Sequence, residues 1–229
     1  MVSLPTTHLD IPSPLTLIVG KMKGYGNDYE KDGGKEVYII SGGPGCGKTT
    51  IIEGLKKLGY YTLLETAEQI IYGEIEYGGE IVPWNKAKYA DFQRAVYSLQ
   101  KIQERRIPKY TRAVSDRSLW DVVAYSRFGE VEVPRGIEKD LEKAPYKAVF
   151  IPDRLPTLEK TAIRREDEKK AEDLHKIIGD VYDESGLEVI RVPVFGTKKE
   201  RVDFVRSYIE RDTLSKIISQ IPTLGQSTA

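Results

Sequence analysis

Five short apolar runs punctuate the chain: Val37–Ile40, Tyr60–Leu64, Ala113–Ser115, Ala148–Ile151 and Val189–Val194. In Val37-Tyr38-Ile39-Ile40 the apolar positions are consecutive, as expected for a strand covered on both faces of a parallel sheet. Helix-length segments separate the runs, and their apolar residues recur every three or four positions. Phe92, Val96 and Leu99 share one helical face. So do Leu174, Ile177, Ile178 and Val181, and then Val202, Val205 and Ile209. Strands alternating with helices predict βαβ units, and hence an α/β chain on a doubly wound parallel sheet of five strands. The sequence contains no internal repeat.

The two ends break this rhythm. Residues 1–34 carry three prolines and, from Gly20 to Gly34, five glycines, so they read as an irregular N-terminal arm. The regular domain is expected over residues 35–215, with a polar tail over 216–229. Composition then narrows the possibilities. Hydrophobic residues make up 40% of the chain, enough for a substantial core. Thirty-five basic residues balance 35 acidic ones, leaving no overall field to attract nucleic acid or an anionic membrane. The basic run Arg105–Arg112 sits between a helix and a strand and reads as a solvated connector, which argues against a nucleic-acid partner. One cysteine and two histidines exclude an internal disulfide and a Cys/His zinc cluster, and they suit the reducing cytoplasm. No apolar run approaches the roughly 20 residues that cross a bilayer, so no membrane partner is expected.

The first strand runs directly into Gly42-Gly43-Pro44-Gly45-Cys46-Gly47-Lys48-Thr49, followed by Thr50 and a helical pattern. This is the phosphate-loop pattern G-x-x-x-x-G-K-[ST] in its required strand–loop–helix setting. Glycines let successive backbone N–H groups turn inward onto phosphate oxygens, and the new helix adds the positive end of its dipole. The motif assigns Lys48 to the β- and γ-phosphates of a nucleotide and the Thr49 hydroxyl to Mg²⁺. Cys46 occupies a free loop position and reads as a small filler. ATP is the expected nucleotide, with GTP as the alternative.

What is missing decides between classes of such proteins. A GTPase switch would carry Asn-Lys-x-Asp; here Asn85-Lys86-Ala87-Lys88 lacks the aspartate. A motor ATPase would end an apolar strand in Asp-Glu, whereas the third strand ends in Asp116-Arg117. The motif order resembles the deoxynucleoside and nucleotide kinase group, and within it the AAA-type family that includes the ribosylnicotinamide kinase domain of NadR. The resemblance rests on Ser41–Thr50, on Glu65 and Ala67 after the second strand, and on Phe92, Gln93 and Gln100. It continues through Ser115-Asp116-Arg117-Ser118-Leu119 with Asp121, Ala124 and Tyr125, and ends at Tyr182, covering roughly residues 36–212. One departure is Glu68, where many relatives have Arg.

The resemblance implies a three-layer P-loop NTPase fold with strand order 2-3-1-4-5. It implies a Mg²⁺-dependent transfer of the γ-phosphoryl group to a small-molecule acceptor, nucleoside- or nucleotide-like. In similar kinases a carboxylate in the place of Glu65 takes the proton of the attacking hydroxyl or holds the substrate. Asp116 would hold magnesium through water, and Arg117 would reach a phosphate or the acceptor. Arg164 and Arg165 fall where relatives carry a mobile lid whose arginines close over phosphate oxygens. Gly196-Thr197-Lys198-Lys199 falls where similar kinases pack the nucleotide base. Plainer readings stand beside these: Glu65 as a helix-starting acid, Asp116 and Arg117 as a structural ion pair, and 164–168 as a solvated helix start. Gln93 and Gln100 could read a base or sugar, or simply face solvent, and Pro83-Trp84 could stack on a substrate ring or anchor the core. An NTPase or nucleotide-gated binding module, with no acceptor, is the competing function.

Overall fold

The computed structural model describes residues 34–155 and 168–220. The expected arm and most of the expected tail therefore lie outside the described residues. The five strands are β1 (Glu36–Ile40), β2 (Tyr61–Leu63), β3 (Arg112–Asp116), β4 (Tyr146–Pro152) and β5 (Glu188–Val192). All pairings are parallel, and the order is β2-β3-β1-β4-β5, as the resemblance implied. Seven α-helices occur among the described residues: α1 (Lys48–Lys57), α2 (Thr66–Tyr77), α3 (Tyr89–Arg105), α4 (Leu119–Phe128), α5 (Ile137–Leu141), α6 (Glu168–Glu184) and α7 (Lys198–Gln220). None is long and apolar enough to cross a membrane.

The central strand explains the layering. Along β1 successive side chains point to opposite faces. Val37 and Ile39 enter a core with Phe92, Val96, Leu119, Leu174 and Ile178 from α3, α4 and α6. Tyr38 and Ile40 enter the opposite core, with Ile51 and Leu55 of α1 and Val202, Val205 and Ile209 of α7. The sheet is thus covered on both sides, which is why its middle strands read as unbroken apolar runs. Edge strand β5 is only partly buried.

Chain direction then fixes where chemistry can occur. In an all-parallel sheet every strand ends on the same edge, and open α/β proteins bind ligands outside that edge. Ser41 after β1, Glu65 after β2, Asp116 at the end of β3 and Asp153 after β4 all come to it. Asp116 lies opposite Ile40 in the β1–β3 register, next to the start of the glycine loop.

Candidate functional site

The glycine loop is built from backbone geometry. Gly42, Gly45 and Gly47 have φ of 131°, 79° and 79°, values that side-chain-bearing residues adopt only under strain. Gly47 caps α1 without a side-chain hydrogen bond, so the amides of the first turn are left facing the loop's concavity. Lys48 is buried and folds across the loop. Its Nζ donates to the Gly42 carbonyl at 2.9 Å and to the Gly43 carbonyl at 3.1 Å. The Cys46 thiol is fully buried and donates to the Gly43 carbonyl at 3.1 Å, which suits a filler. Thr49 is exposed on the first turn of α1.

Side chains from two strand ends meet beside this loop. Arg117 Nε donates to Glu65 Oε1 at 2.6 Å, and its Nη1 lies 3.5 Å from Asp121 Oδ1. The guanidinium also stacks 4.9 Å above the Tyr125 ring. Burial works against its charge, but Glu65 and the neighbouring acids outweigh it, and Arg117 stays cationic well above its ordinary range. The Arg117 backbone is held at φ 71°, uncommon for a non-glycine residue. Its carbonyl accepts from Ser115 Oγ at 2.6 Å and its N–H donates to Ile40 O at 3.1 Å, contacts that fix the strained turn.

Asp116 is in a different position. It is buried, and its Oδ1 has no hydrogen-bond partner. Burial, with Glu65 close by, pushes its pKa up to about 7, against the pull of Lys48 and Arg117. A buried carboxylate oxygen left unsatisfied is what a hydrated cation would complete.

From Lys48 and Pro44 a cleft of about 680 Å³ extends past Glu65, Arg117 and Asp121. Its far wall is aromatic, formed by Trp84, Tyr89, Phe92, Tyr125 and Phe128. Tyr89 is positioned by donating from its hydroxyl to the Tyr125 carbonyl at 3.0 Å, while its ring fills the space a side chain at Gly129 would need. Gln93 also lines the cleft, and it is 2% exposed. Glu68 and Trp84 line the cleft as well.

The expected residues thus divide into groups. Lys48, Glu65 and Arg117 border one cleft; Asp116 is buried and does not line it, and Thr49 follows Lys48 on the first turn of α1. Arg164 and Arg165 lie outside the described residues. Thr197 and Glu200 form a reciprocal cap at the start of α7, with the Thr197 N–H donating to Glu200 Oε2 at 2.8 Å, and this segment does not line the cleft. Gln100 faces neither solvent nor the cleft. It turns inward, accepting from Thr66 Oγ1 at 3.1 Å and donating to Glu104 Oε1 at 2.8 Å and to Ser115 Oγ at 3.2 Å. It therefore ties the segment carrying Glu65 to the segment carrying Arg117.

Other supports either carried the resemblance without an assigned role, as Ser41, Ser118, Asp121 and Tyr182 did, or were not singled out in the sequence. Asp121 closes a capping box at the start of α4, accepting from the Ser118 N–H at 2.9 Å. The same carboxylate accepts from Ser41 Oγ at 2.6 Å and from the Tyr182 hydroxyl at 2.5 Å. Arg201 of α7 is 4% exposed and donates to the backbone carbonyls of Cys46, Asp153 and Pro193. His175 of α6 accepts from the Gly43 N–H. The Ser118-x-x-Asp121 spacing could have revealed the cap. Nothing in the local sequence marks His175 or Arg201.

The AAA domain family matches residues 37–201, most of the chain. No curated protein matches. Among solved structures, NadR in complex with NR superposes with a TM-score of 0.56 at 15% identity, covering 76% of this chain and 51% of that one. NadR with NAD and AMP-PNP gives 0.51 at 15% identity, covering 76% and 49%. This chain thus spans about half the length of those structures, and at such identity the likeness is one of fold. The loop between β1 and α1, the strand order β2-β3-β1-β4-β5 and the family match agree: the chain belongs to the AAA domain family, with the fold of kinase-like P-loop NTPases.

Proposed function

We propose that the protein is a Mg²⁺-dependent phosphotransferase that moves the γ-phosphoryl group of ATP to a hydroxyl of a nucleoside- or nucleotide-like acceptor. The observation that carries this reading is the cleft of about 680 Å³ beyond Lys48. A hydrolase needs space only for a water, whereas this cleft has an aromatic wall for a planar ring and the Gln93 amide for a polar ring edge. The similar NadR structures hold NR in one case, and NAD with AMP-PNP in the other.

In this reading Lys48 exchanges its loop carbonyls for the β- and γ-phosphates, and the loop amides hold the remaining oxygens. Thr49 and Asp116 would hold magnesium, which would neutralise charge on the phosphates; the unsatisfied Asp116 Oδ1 fits that role. The bond between the γ-phosphorus and its bridging oxygen breaks, a bond to the acceptor oxygen forms, ADP departs, and the proton of the acceptor hydroxyl passes to the transferred phosphoryl oxygens and on to solvent. Glu65 is held in an ion pair with Arg117, with 2.6 Å between Oε1 and Nε. Its part is therefore to orient the acceptor hydroxyl through a hydrogen bond, and a loose phosphoryl transition state requires little more. Arg117 supplies positive charge on the acceptor side. Arg164 and Arg165 are the proposed lid contacts.

The test is to incubate the protein with Mg-ATP and pooled nucleosides, nucleotides and sugars, and to seek by mass spectrometry a product heavier by one phosphoryl group. Free phosphate alone across the panel overturns the acceptor reading and leaves the hydrolase.

A further inference from the structure

The peptide unit joining Gly42 to Gly43 is held at both of its polar ends. Its carbonyl, on Gly42, accepts from Lys48 Nζ at 2.9 Å. Its N–H, on Gly43, donates to His175 Nδ1 at 3.0 Å. Flanking glycines put few steric limits on how such a unit rotates, and Gly42 already has a φ of 131°. The approach of the imidazole depends on those glycines. A Cβ on Gly43 would lie 2.8 Å from His175 Cβ and 2.9 Å from the Ala171 carbonyl oxygen, and one on Gly42 would touch the ring at 3.4 Å.

Nucleotide binding, as proposed above, draws Lys48 away from the Gly42 carbonyl. The bond to His175 then becomes the remaining hold on this peptide. A histidine nitrogen accepts a hydrogen bond only when it carries no proton, so Nδ1 must be bare and the ring proton must sit on Nε2. The imidazolium form has a donor at Nδ1, which repels the Gly43 N–H and attracts a carbonyl. It therefore favours the rotated peptide.

We propose that His175 is a positioning residue of the nucleotide site: as neutral imidazole it locks the Gly42–Gly43 peptide, and its protonation releases that lock and weakens nucleotide binding. The inference rests on the nucleotide occupying residues 42–50. The charged groups facing the ring are Lys48 from α1, Asp153 and Arg154 after β4, and Arg191 from β5. Partial burial lowers its pKa from the ordinary 6.5, and the three cations add to this against Asp153. The lock is consequently closed at neutral pH and opens only as pH falls through a value below the ordinary 6.5.

Three proteins separate this from a packing role: the native chain, His175→Asn and His175→Leu. The Asn carbonyl oxygen can stand near the place of Nδ1 as an acceptor that does not titrate. Mg-ATP is titrated calorimetrically into each at about pH 7.5 and at about one pH unit below the midpoint at which the His175 ring itself titrates by NMR. The native protein is expected to lose affinity about five- to tenfold across that interval, beyond the change shown by His175→Asn, as fits one lost hydrogen bond. His175→Leu should bind as weakly at the higher pH as the native protein does at the lower. In ¹⁵N spectra of the ATP-free native protein, the Gly43 amide should titrate together with the His175 ring. Equal affinity in all three, or a Gly43 amide indifferent to the ring's titration, overturns the lock. If the native protein binds no ATP at about pH 7.5, the nucleotide reading fails instead, and the Gly43 titration still decides the lock.

Discussion

The two ends of the cleft are made of different material. At the phosphate end the groups aimed at a ligand are mostly backbone: loop amides, the start of α1, and glycines at φ values that other residues avoid. At the acceptor end they are side chains from separate elements: Glu65 after β2, Gln93 from α3, Arg117 after β3 and Tyr125 from α4. A backbone cradle is specified by a few consecutive residues and tolerates variation elsewhere. A side-chain cradle depends on every helix landing where it does. The first end should therefore lose function on substitution while keeping its fold, and the second should lose both together where its ion pair is broken.

Arg117→Met gives the largest expected effect. It removes the guanidinium that pairs with the buried Asp121 and the partly buried Glu65. Breaking such a pair costs about 3–5 kcal/mol, read as a lowered denaturation midpoint, and phosphoryl transfer should fall with it. An unchanged midpoint would remove the acceptor end's dependence on this ion pair. Lys48→Met tests the other end. Transfer should drop by about 100- to 1,000-fold with the unfolding midpoint close to native, because at rest the ammonium only donates to the Gly42 and Gly43 carbonyls. Unfolding on a par with Arg117→Met would end the contrast between the two regions.

Gln93→Leu should raise the acceptor KM by about tenfold while leaving the ATP KM unchanged, since the amide lines only the far part of the cleft. Equal shifts in both constants would contradict that separation. Asp116→Asn gives the smallest effect and the opposite sign in stability. The folded-state pKa of Asp116 is raised from 3.8 to about 7, so its favourable protonated state is lost as pH rises through about 7. The uncharged amide removes that penalty. Its melting temperature should exceed the native one, more at pH 8 than at pH 5, while Mg²⁺-dependent transfer falls. A native-like pH profile in Asp116→Asn would show that Asp116 is not the buried titrating group.

The same contrast governs what could be read in advance. The five apolar runs match the five strands, with end shifts of one or two residues such as Val189–Val194 against Glu188–Val192. The apolar stripes of α3, α6 and α7 are buried as their spacing required, except for Leu99 and Ile177, which are half-buried. The strand order came from the family resemblance and not from periodicity, because hydrophobic spacing does not distinguish which strands are neighbours. Helix α5 and the boundary of α7 were not legible. A five-residue helix is too short to show a period, and α7 runs through residue 215 to Gln220.

Sequence by itself determined the phosphate loop. The constraint there is backbone conformation over eight consecutive residues, which glycine positions record directly. Only the tertiary structure decided that Gln100 turns inward, that Arg117 pairs with Glu65 across 52 positions, and that His175 meets Gly43 across 132. A polar side chain on a helix has the same local sequence signal whether it faces solvent, substrate or a distant peptide. Which of these it meets is set by where the sheet places the helix.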